Sequence, residues 1–159
     1  MLQIEIENQT SLQEAVQMHL RQKEPVVVDN NSNLCTKCNR LIQPLKQNNI
    51  EEYPEVLMLH LMRFKTVYQG STENAVQHYV QHRVTCEETI HLGGVLYRQV
   101  ARIYHQGCSL YSGHYFTICR HDCPAGCFWY YNNSIRRLER AEDDINADSR
   151  VYVCVYERV

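Results

Sequence analysis

The feature that most constrains the fold is an alternating apolar segment at residues 56–64, Val-Leu-Met-Leu-His-Leu-Met-Arg-Phe. Successive side chains of a β-strand point to opposite faces, so Leu57, Leu59 and Leu61 share one face here. This pattern predicts a central strand with one buried face. Similar alternation makes the second half of the chain mostly β, with strands predicted near residues 76–84, 95–105, 114–120, 128–131 and 151–156.

One amphipathic helix is predicted near the start of the chain. Ser11 and Glu14 have the spacing of a capping box, in which the serine hydroxyl accepts a hydrogen bond from the amide three residues later. The apolar residues that follow recur at helical spacing, and Pro25 ends the segment before a β-branched run at residues 26–28. We therefore expect a helix of about three turns that starts at Ser11.

Composition and charge exclude several classes of function. The chain has 159 residues, with 16 Lys and Arg against 18 Asp and Glu, and its isoelectric point is about 6.4. This balance gives no basic surface for nucleic acid. The apolar stretches are shorter than the roughly 20 residues that span a bilayer, and residues 1–6 do not have the pattern of a signal peptide. We expect a cytoplasmic or nuclear protein without nucleic acid or membrane partners.

The eight cysteines point to metal binding more than to disulfides, because no secretory signal accompanies them. Cys35 and Cys38 are two residues apart, the spacing with which one turn presents two thiolates to Zn²⁺. That pair is half of a tetrahedral site, and the alternative is two coincidental thiols. A second stretch, with Cys119, His121, Cys123 and Cys127, is either a metal site of its own or a hairpin loop that carries thiols.

A histidine and two asparagines suggest part of a catalytic site. His114 opens a predicted strand after a polar loop, and Asn132 and Asn133 end another predicted strand. If these strands are neighbours, an amide oxygen accepts the Nδ1 proton of His114 and leaves Nε2 to take a proton from a thiol. The simpler alternative is a structural histidine and a turn at the two asparagines. Spacing alone favours that alternative.

The order of these segments resembles the C-terminal half of a ubiquitin-specific protease domain, the papain-like cysteine deubiquitinases. Residues 53–64 are similar to the family's strand P-x-V-L-x-L-H-L-K-R-F, with Met62 where Lys is usual. Residues 112–115, Ser-Gly-His-Tyr, resemble its histidine box. Further similar segments are residues 11–15, the zinc knuckle at 35–38, residues 128–134 and the closing strand at 151–158.

The resemblance implies a role for each matching residue. His114 matches the general base, Asn132 the residue that orients it, and Asn133 the position that follows, with the division between the two asparagines left open. The loop around the histidine matches the channel for the ubiquitin tail. It contributes His105, Gly107, Gly113 and Tyr115. Cys35 and Cys38 match the second zinc knuckle, so the resemblance implies a structural Zn²⁺ completed by two ligands from outside this chain.

Two family features have no counterpart in this sequence, the nucleophilic cysteine box and the first zinc knuckle. Cys108 is close to His114 in sequence, but no helix start is present to lower its pKa, so we reject it as the nucleophile. We expect residues 1–159 to form the C-terminal part of the catalytic domain, an α+β papain-like fragment with an antiparallel palm sheet and part of the fingers. One side of that sheet is expected to expose apolar surface.

Three functional interpretations follow. The first is a fragment of an active cysteine deubiquitinase, which cleaves after the C-terminal glycine of ubiquitin once the missing part supplies the nucleophile. The second is an inactive pseudoprotease that binds ubiquitin. The third is a zinc-stabilised β-rich interaction domain without a link to ubiquitin, which the ordered motifs disfavour.

Overall fold

The computed structural model describes residues 1–25, 34–35, 37–42, 44–47, 49–68, 75–107, 109, 111–120, 127–140 and 147–159. One helix and fourteen strands are found in this part of the chain. In chain order they are β1 (Leu2–Ile4), α1 (Leu12–Arg21), β2 (Lys23–Pro25), β3 (Leu45–Gln47), β4 (Val56–Leu61), β5 (Phe64–Tyr68), β6 (Ala75–Tyr79), β7 (Val84–Thr85), β8 (Thr89–Leu92), β9 (Val95–Gln106), β10 (His114–Arg120), β11 (Cys127–Asn132), β12 (Ile135–Arg140), β13 (Ala147–Asp148) and β14 (Val151–Arg158).

Eight of these strands form one sheet, in the order β1-β4-β14-β9-β10-β11-β12, with β8 pairing separately with β9. All pairs in it are antiparallel except β1 with β4, which are parallel. Two-stranded ribbons pair β2 with β3, β5 with β6, and β7 with β13. The expected α+β architecture with a mainly antiparallel sheet is therefore observed.

The predicted central strand is β4, and it lies between β1 and β14. Leu57, Leu59 and Leu61 are buried, as their alternation predicts. The strand ends at Leu61, earlier than the sequence pattern suggests, because the amide of Arg63 turns back to the carbonyl of Leu61 (2.8 Å). The chain then leaves the large sheet and continues as β5, which pairs with β6.

Helix α1 starts where the capping box predicts. Ser11 has an extended backbone, and its hydroxyl accepts a hydrogen bond from the amide of Glu14 (3.2 Å). A contact distant in sequence completes the cap, because Glu87 accepts hydrogen bonds from the Ser11 hydroxyl (2.5 Å) and from the Gln13 amide (3.1 Å). A carboxylate at a helix N-terminus is stabilised by the amide groups that lack partners within the helix.

The core lies between α1 and one face of the large sheet. Leu12, Ala15 and Val16 of the helix are buried in it. Sheet residues that pair across the strands share a face, and Leu59, Cys154, Arg102, Ile118 and Tyr130 form one row on the core side. This packing places the helix and the core-facing rows together in one apolar cluster.

The opposite face of the sheet, here called the open face, carries exposed apolar side chains. They include Val56, Met58, Tyr115, Tyr131 and Leu138. The expectation that one side of the sheet exposes apolar surface is met in the described residues.

Some predicted segments lie outside the described residues. They are the β-branched run at 26–28, the connector at 69–74 and residues 141–146 of the second polar connector. No helix among the described residues is long and apolar enough to cross a membrane.

Candidate active site

The sheet brings His114 and Asn132 together. His114 is the first residue of β10, and Asn132 is the last residue of the neighbouring β11. The antiparallel register pairs Ile118 with Tyr130, so the start of β10 lies beside the end of β11. His114 Nε2 is 2.5 Å from Asn132 Oδ1, and both side chains are half-buried.

This contact determines which ring nitrogen can accept a proton. An amide oxygen only accepts hydrogen bonds, so the Nε2 that faces it carries hydrogen. The neutral ring then has a free electron pair on Nδ1. The sequence analysis expected the amide oxygen to face Nδ1 and Nε2 to accept the proton of the thiol. That expectation was wrong, because the rotation of the ring depends on how the two strands meet.

The two asparagines have different positions. Asn132 lies in the strand and contacts His114, whereas Asn133 is exposed in the two-residue turn between β11 and β12. The backbone of Asn133 has φ 52°, in the left-handed region that asparagine tolerates better than most residues. In this structure Asn132 is therefore the partner of the histidine, and Asn133 forms the turn.

Sequence reasoning missed a third side chain in this group. The phenolic oxygen of Tyr130 accepts a hydrogen bond from Asn132 Nδ2 (2.7 Å). Residues two apart on a strand share a face, so the spacing of Tyr130 and Asn132 was the signal that could have found it. Both ends of the Asn132 amide are thus hydrogen-bonded, one to His114 and one to Tyr130.

His105 lies beneath the loop that leads to His114. Its side chain is only 2% exposed, and its ring packs against those of Phe64, Tyr115 and Tyr152, with centroids 5.5, 4.7 and 5.7 Å away. A Cβ added at Gly113 would lie 2.0 Å from His105 Nε2. Glycine at position 113 is what allows the backbone to pass directly over the buried ring.

The other residues of the expected substrate channel lie in the same region. A Cβ at Gly107 would come within 2.7 Å of the Ser112 carbonyl oxygen, so the two ends of the loop approach each other closely. Tyr115 pairs with His105 across the strands and is 53% exposed. Gly113 and Tyr115 therefore flank His114 along the chain, and the buried His105 ring lies against both of them.

Cys35 and Cys38 lie in a tight turn. The Asn39 amide donates to the Cys35 carbonyl (2.8 Å), and the Cys35 amide donates to the Arg40 carbonyl (2.9 Å). Hydrogen bonds from the backbone amides of Cys38 and Lys37 lower the pKa of the Cys35 thiol. A turn whose amides stabilise a thiolate fits one half of a tetrahedral zinc site. No group of three or more metal-binding side chains occurs among the described residues.

The second sulfur-rich stretch is only partly described. Cys119 is half-buried, and burial raises the pKa of its thiol. Cys127 is buried at the start of β11. His121 and Cys123 lie outside the described residues, as does Cys108.

Within the part of the chain that the structure describes, no thiol forms a hydrogen bond with His114. Cys86 and Cys154 are wholly buried in the core, where burial raises the pKa of Cys154 well above its usual range and a hydrogen bond with Cys154 lowers the pKa of Cys86. A buried thiol with a raised pKa is a poor nucleophile. The described residues thus bring a histidine ring and an asparagine amide into hydrogen-bonding contact.

Comparison with known proteins matches this chain to one family by sequence and to one fold by structure. The family model described as ubiquitin carboxyl-terminal hydrolase matches residues 5–156. Among curated proteins, ubiquitin carboxyl-terminal hydrolase 10 of Saccharomyces cerevisiae is 25% identical over 130 residues, which cover 79% of this chain and 16% of that protein. Human ubiquitin carboxyl-terminal hydrolase 3 is 29% identical over 132 residues, covering 77% of this chain and 24% of that protein.

Among solved structures, the Ubp8/Sgf11/Sus1/Sgf73 DUB module of SAGA bound to ubiquitin aldehyde matches with a TM-score of 0.79 at 18% identity. The same module bound to monoubiquitin matches with a TM-score of 0.79 at 20% identity. Each match covers 99% of this chain and 35% of the other. The expected fold class, a papain-like protease fragment, is confirmed.

The shares of length show how much of these proteins is represented here. The chain spans less than a quarter of the two curated relatives and about a third of the matched structures. The family match nevertheless runs through most of the chain, from residue 5 to residue 156 in β14, and includes the histidine and its amide partner. The chain belongs to the ubiquitin carboxyl-terminal hydrolase family.

Proposed function

We propose that residues 1–159 form the C-terminal part of the catalytic domain of a cysteine deubiquitinase, in which His114 is the general base and Asn132 orients it. The observation that carries this proposal is the 2.5 Å contact between His114 Nε2 and Asn132 Oδ1 at the meeting point of β10 and β11. An amide partner holds the ring without adding a charge. The family membership supports the reaction class.

The chemistry follows from the free electron pair on His114 Nδ1. This atom accepts the proton of a cysteine thiol from a segment outside the described residues, and the thiolate attacks the carbonyl carbon of the C-terminal glycine of ubiquitin. The C–N bond breaks when Nδ1–H protonates the leaving amine, and a thioester remains. Water then attacks the thioester carbonyl carbon and gives a proton to Nδ1. The C–S bond breaks, the ubiquitin carboxylate leaves, and Nδ1–H returns the proton to the sulfur to regenerate the thiol.

We assign the ubiquitin tail to the surface bordered by Gly107, Gly113 and Tyr115. Gly107 and Gly113 allow the backbone beside His114 to pack closely on the Ser112 carbonyl and the His105 ring, and the exposed Tyr115 ring offers an extended peptide an apolar contact. His105 belongs to this subsite as its buried support. The matched SAGA modules are described as bound to ubiquitin aldehyde and to monoubiquitin, which supports ubiquitin as the partner proposed here.

The test uses the longest natural protein that contains this chain. Hydrolysis of a fluorogenic ubiquitin C-terminal amide is measured for the parent and for His114→Ala, with ubiquitin affinity measured in parallel. We expect kcat to fall roughly 10²- to 10⁴-fold while the Kd for ubiquitin stays unchanged, because a general base acts in the transition state. An unaffected kcat would remove His114 from the mechanism.

The competing function is an inactive protein that binds ubiquitin. It is consistent with the described residues, none of which presents a thiol to His114. Ubiquitin binding without turnover in the longest natural protein would establish this alternative. The isolated chain of 159 residues is expected to be inactive in either case, and turnover that disappears on Cys108→Ser would instead identify Cys108 as the nucleophile.

We further propose that Cys35 and Cys38 hold a structural Zn²⁺ together with two ligands from outside this chain. The amide groups that lower the pKa of Cys35 support this assignment. The metal would cross-link the turn to another segment and supply no catalytic chemistry. One tightly held Zn²⁺ in the isolated chain would contradict the assignment and point to Cys119, His121, Cys123 and Cys127. A deubiquitinase of this kind would act in the cytoplasm or the nucleus.

A further inference from the structure

The inference concerns Tyr130, which contacts Asn132 and which no motif of the sequence singled out. Tyr130 and Asn132 lie two residues apart on β11 and point to the same side of the sheet. The Tyr130 hydroxyl accepts a hydrogen bond from Asn132 Nδ2 (2.7 Å), while Asn132 Oδ1 is the atom 2.5 Å from His114 Nε2. The tyrosine therefore reaches the histidine only through the amide between them.

The ring of Tyr130 contacts side chains of both neighbouring strands, Phe116 on β10 and Arg137 on β12. The Phe116 ring lies beside it, with centroids 5.5 Å apart, and the guanidinium carbon of Arg137 lies 4.5 Å from the centroid of the tyrosine ring. Tyr130 and Arg137 pair directly across β11 and β12. An aromatic ring packed on the core and contacted by a guanidinium has little freedom to turn. Its hydroxyl is consequently a fixed point beside Asn132.

A fixed acceptor at Nδ2 matters because the two ends of an amide have opposite hydrogen-bonding properties. If Asn132 turned by half a rotation, Nδ2 would face His114 Nε2, and the ring would have to carry its proton on Nδ1. A ring in that form has no free electron pair on the nitrogen assigned to the thiol. With both ends bound, a half rotation of the amide breaks two hydrogen bonds at once, and they form again only if the Tyr130 hydroxyl turns to donate to Oδ1.

We propose that Tyr130 is a positioning residue for His114, whose hydroxyl holds the Asn132 amide with its oxygen towards the imidazole. The catalytic consequence rests on the proposed function, because it requires His114 to act as the base. The structural consequence does not, since the position of the ring proton can be measured without turnover.

The first experiment compares the parent chain with Tyr130→Phe, which removes only the hydroxyl. Long-range ¹H–¹⁵N spectra of histidine-labelled protein, recorded where the ring is neutral, identify the nitrogen that carries the proton. We expect the Nε2–H form of His114 to dominate in the parent and a mixture of both forms in Tyr130→Phe. The matched control is Tyr131→Phe, since Tyr131 lies on the open face and pairs with Arg136, and it should leave the spectrum unchanged.

An unchanged His114 spectrum in folded Tyr130→Phe would overturn the proposal. If that variant fails to fold, the parent alone still provides a test, because one Asn132 side-chain amide proton should exchange slowly with solvent when it is bonded to Tyr130. Exchange of both amide protons as fast as in an exposed asparagine would also overturn the proposal.

The second experiment uses the longest natural protein and a fluorogenic ubiquitin substrate. Loss of one neutral hydrogen bond predicts that Tyr130→Phe lowers kcat roughly three- to tenfold with KM unchanged. In the Asn132→Ala background the same change should have no further effect, because the amide that transmits it is absent. An additional loss in that background would contradict transmission through Asn132. If the parent itself shows no turnover, the proposed function fails while the spectra still decide the role of Tyr130.

Discussion

Asn132 and Asn133 carry identical amides, and their backbone positions give them different tasks. Asn132 ends β11 with an extended backbone that turns its side chain towards β10, where it meets His114. Asn133 starts the turn with φ 52°, which directs its side chain away from that contact and into solvent. The two side chains are chemically identical, so their roles differ only because their backbone conformations differ.

The first prediction distinguishes these two residues. In the longest natural protein, Asn132→Ala should lower kcat roughly tenfold, because the imidazole loses the neutral hydrogen bond that orients it. The matched control is Asn133→Gly, since glycine adopts a positive φ without strain and should keep kcat within about twofold. Steady-state hydrolysis of a ubiquitin C-terminal amide provides the measurement. A larger loss from the Asn133 variant would transfer the orienting role to that residue.

His60 makes the stability of the folded protein depend on pH. Its ring lies edge-on against Tyr152 with centroids 4.5 Å apart, and neither ring nitrogen has a hydrogen-bond partner among the described residues. Burial lowers the pKa of His60 below its value in the unfolded chain. The unfolded state therefore binds the proton more tightly, and stability is lost as the pH falls below about 6.5.

The second prediction follows from this loss of stability at low pH. His60→Phe should keep the aromatic contact and reduce the fall in Tm between about pH 7 and pH 5, because the ring at position 60 then no longer takes up a proton. The control is His91→Gln, an exposed histidine whose replacement should leave the pH dependence of Tm unchanged. Thermal unfolding followed by circular dichroism measures both. An identical fall in the parent and the His60 variant would show that other groups cause the acid sensitivity.

At the scale of the elements, the N-terminal cap of α1 combines a local hydrogen bond with contacts from a residue distant in sequence. Ser11 caps the helix by accepting from the Glu14 amide, as its position in the sequence predicts. Glu87, which precedes β8, adds contacts to the Ser11 hydroxyl and the Gln13 amide that no local pattern contains. The cap thereby connects the helix to the sheet.

The third prediction concerns this cap. Ser11→Ala should lower the free energy of unfolding by about 1 kcal/mol or somewhat more, because it removes the N-cap and one contact of Glu87 together. Thr10→Ala is the matched control, since Thr10 is exposed and its observed contact uses only its backbone carbonyl, and it should change stability by less than about 0.5 kcal/mol. Urea denaturation measures both variants. Equal effects would mean that the Ser11 hydroxyl is not the relevant group.

At the scale of the whole molecule, Arg63 connects three segments that are distant in the sequence. Its side chain is completely buried, with Nε donating to the Val151 carbonyl (2.6 Å) and one terminal nitrogen donating to the carbonyls of Val80 and His82 (3.0 and 3.1 Å). These bonds join the end of β4, the start of β14 and the loop after β6. A buried arginine satisfied by backbone carbonyls organises the junction where the chain leaves the large sheet.

The fourth prediction tests this junction. Arg63→Met keeps much of the side-chain volume but leaves the three carbonyl oxygens without their donor, so we expect a loss of roughly 3 kcal/mol in the free energy of unfolding. The control is Arg98→Met, an exposed arginine of β9, with an expected change within about 0.5 kcal/mol. Denaturant unfolding measures both variants. Similar losses in the free energy of unfolding would contradict the role given to Arg63 at this junction.

Much of the fold could be predicted from the sequence, because the information is local. Alternation of Leu57, Leu59 and Leu61 specifies a strand with one buried face, and Ser11 with Glu14 specifies a helix start, since both patterns depend on residues within a few positions of each other. The ordered motifs likewise identified the family, and with it His114 as a candidate with either Asn132 or Asn133 as its partner.

Only the tertiary structure decided the features that depend on contacts between distant segments. The parallel pairing of β1 with β4, the contact of Glu87 with α1 and the three carbonyls around Arg63 all join residues more than fifteen positions apart. The same holds for the site, where strand register selects Asn132 over Asn133, turns Nε2 of His114 towards the amide and brings Tyr130 behind it. A sequence specifies which groups are available, but the rotation of a ring or an amide is set by the neighbours that folding brings to it.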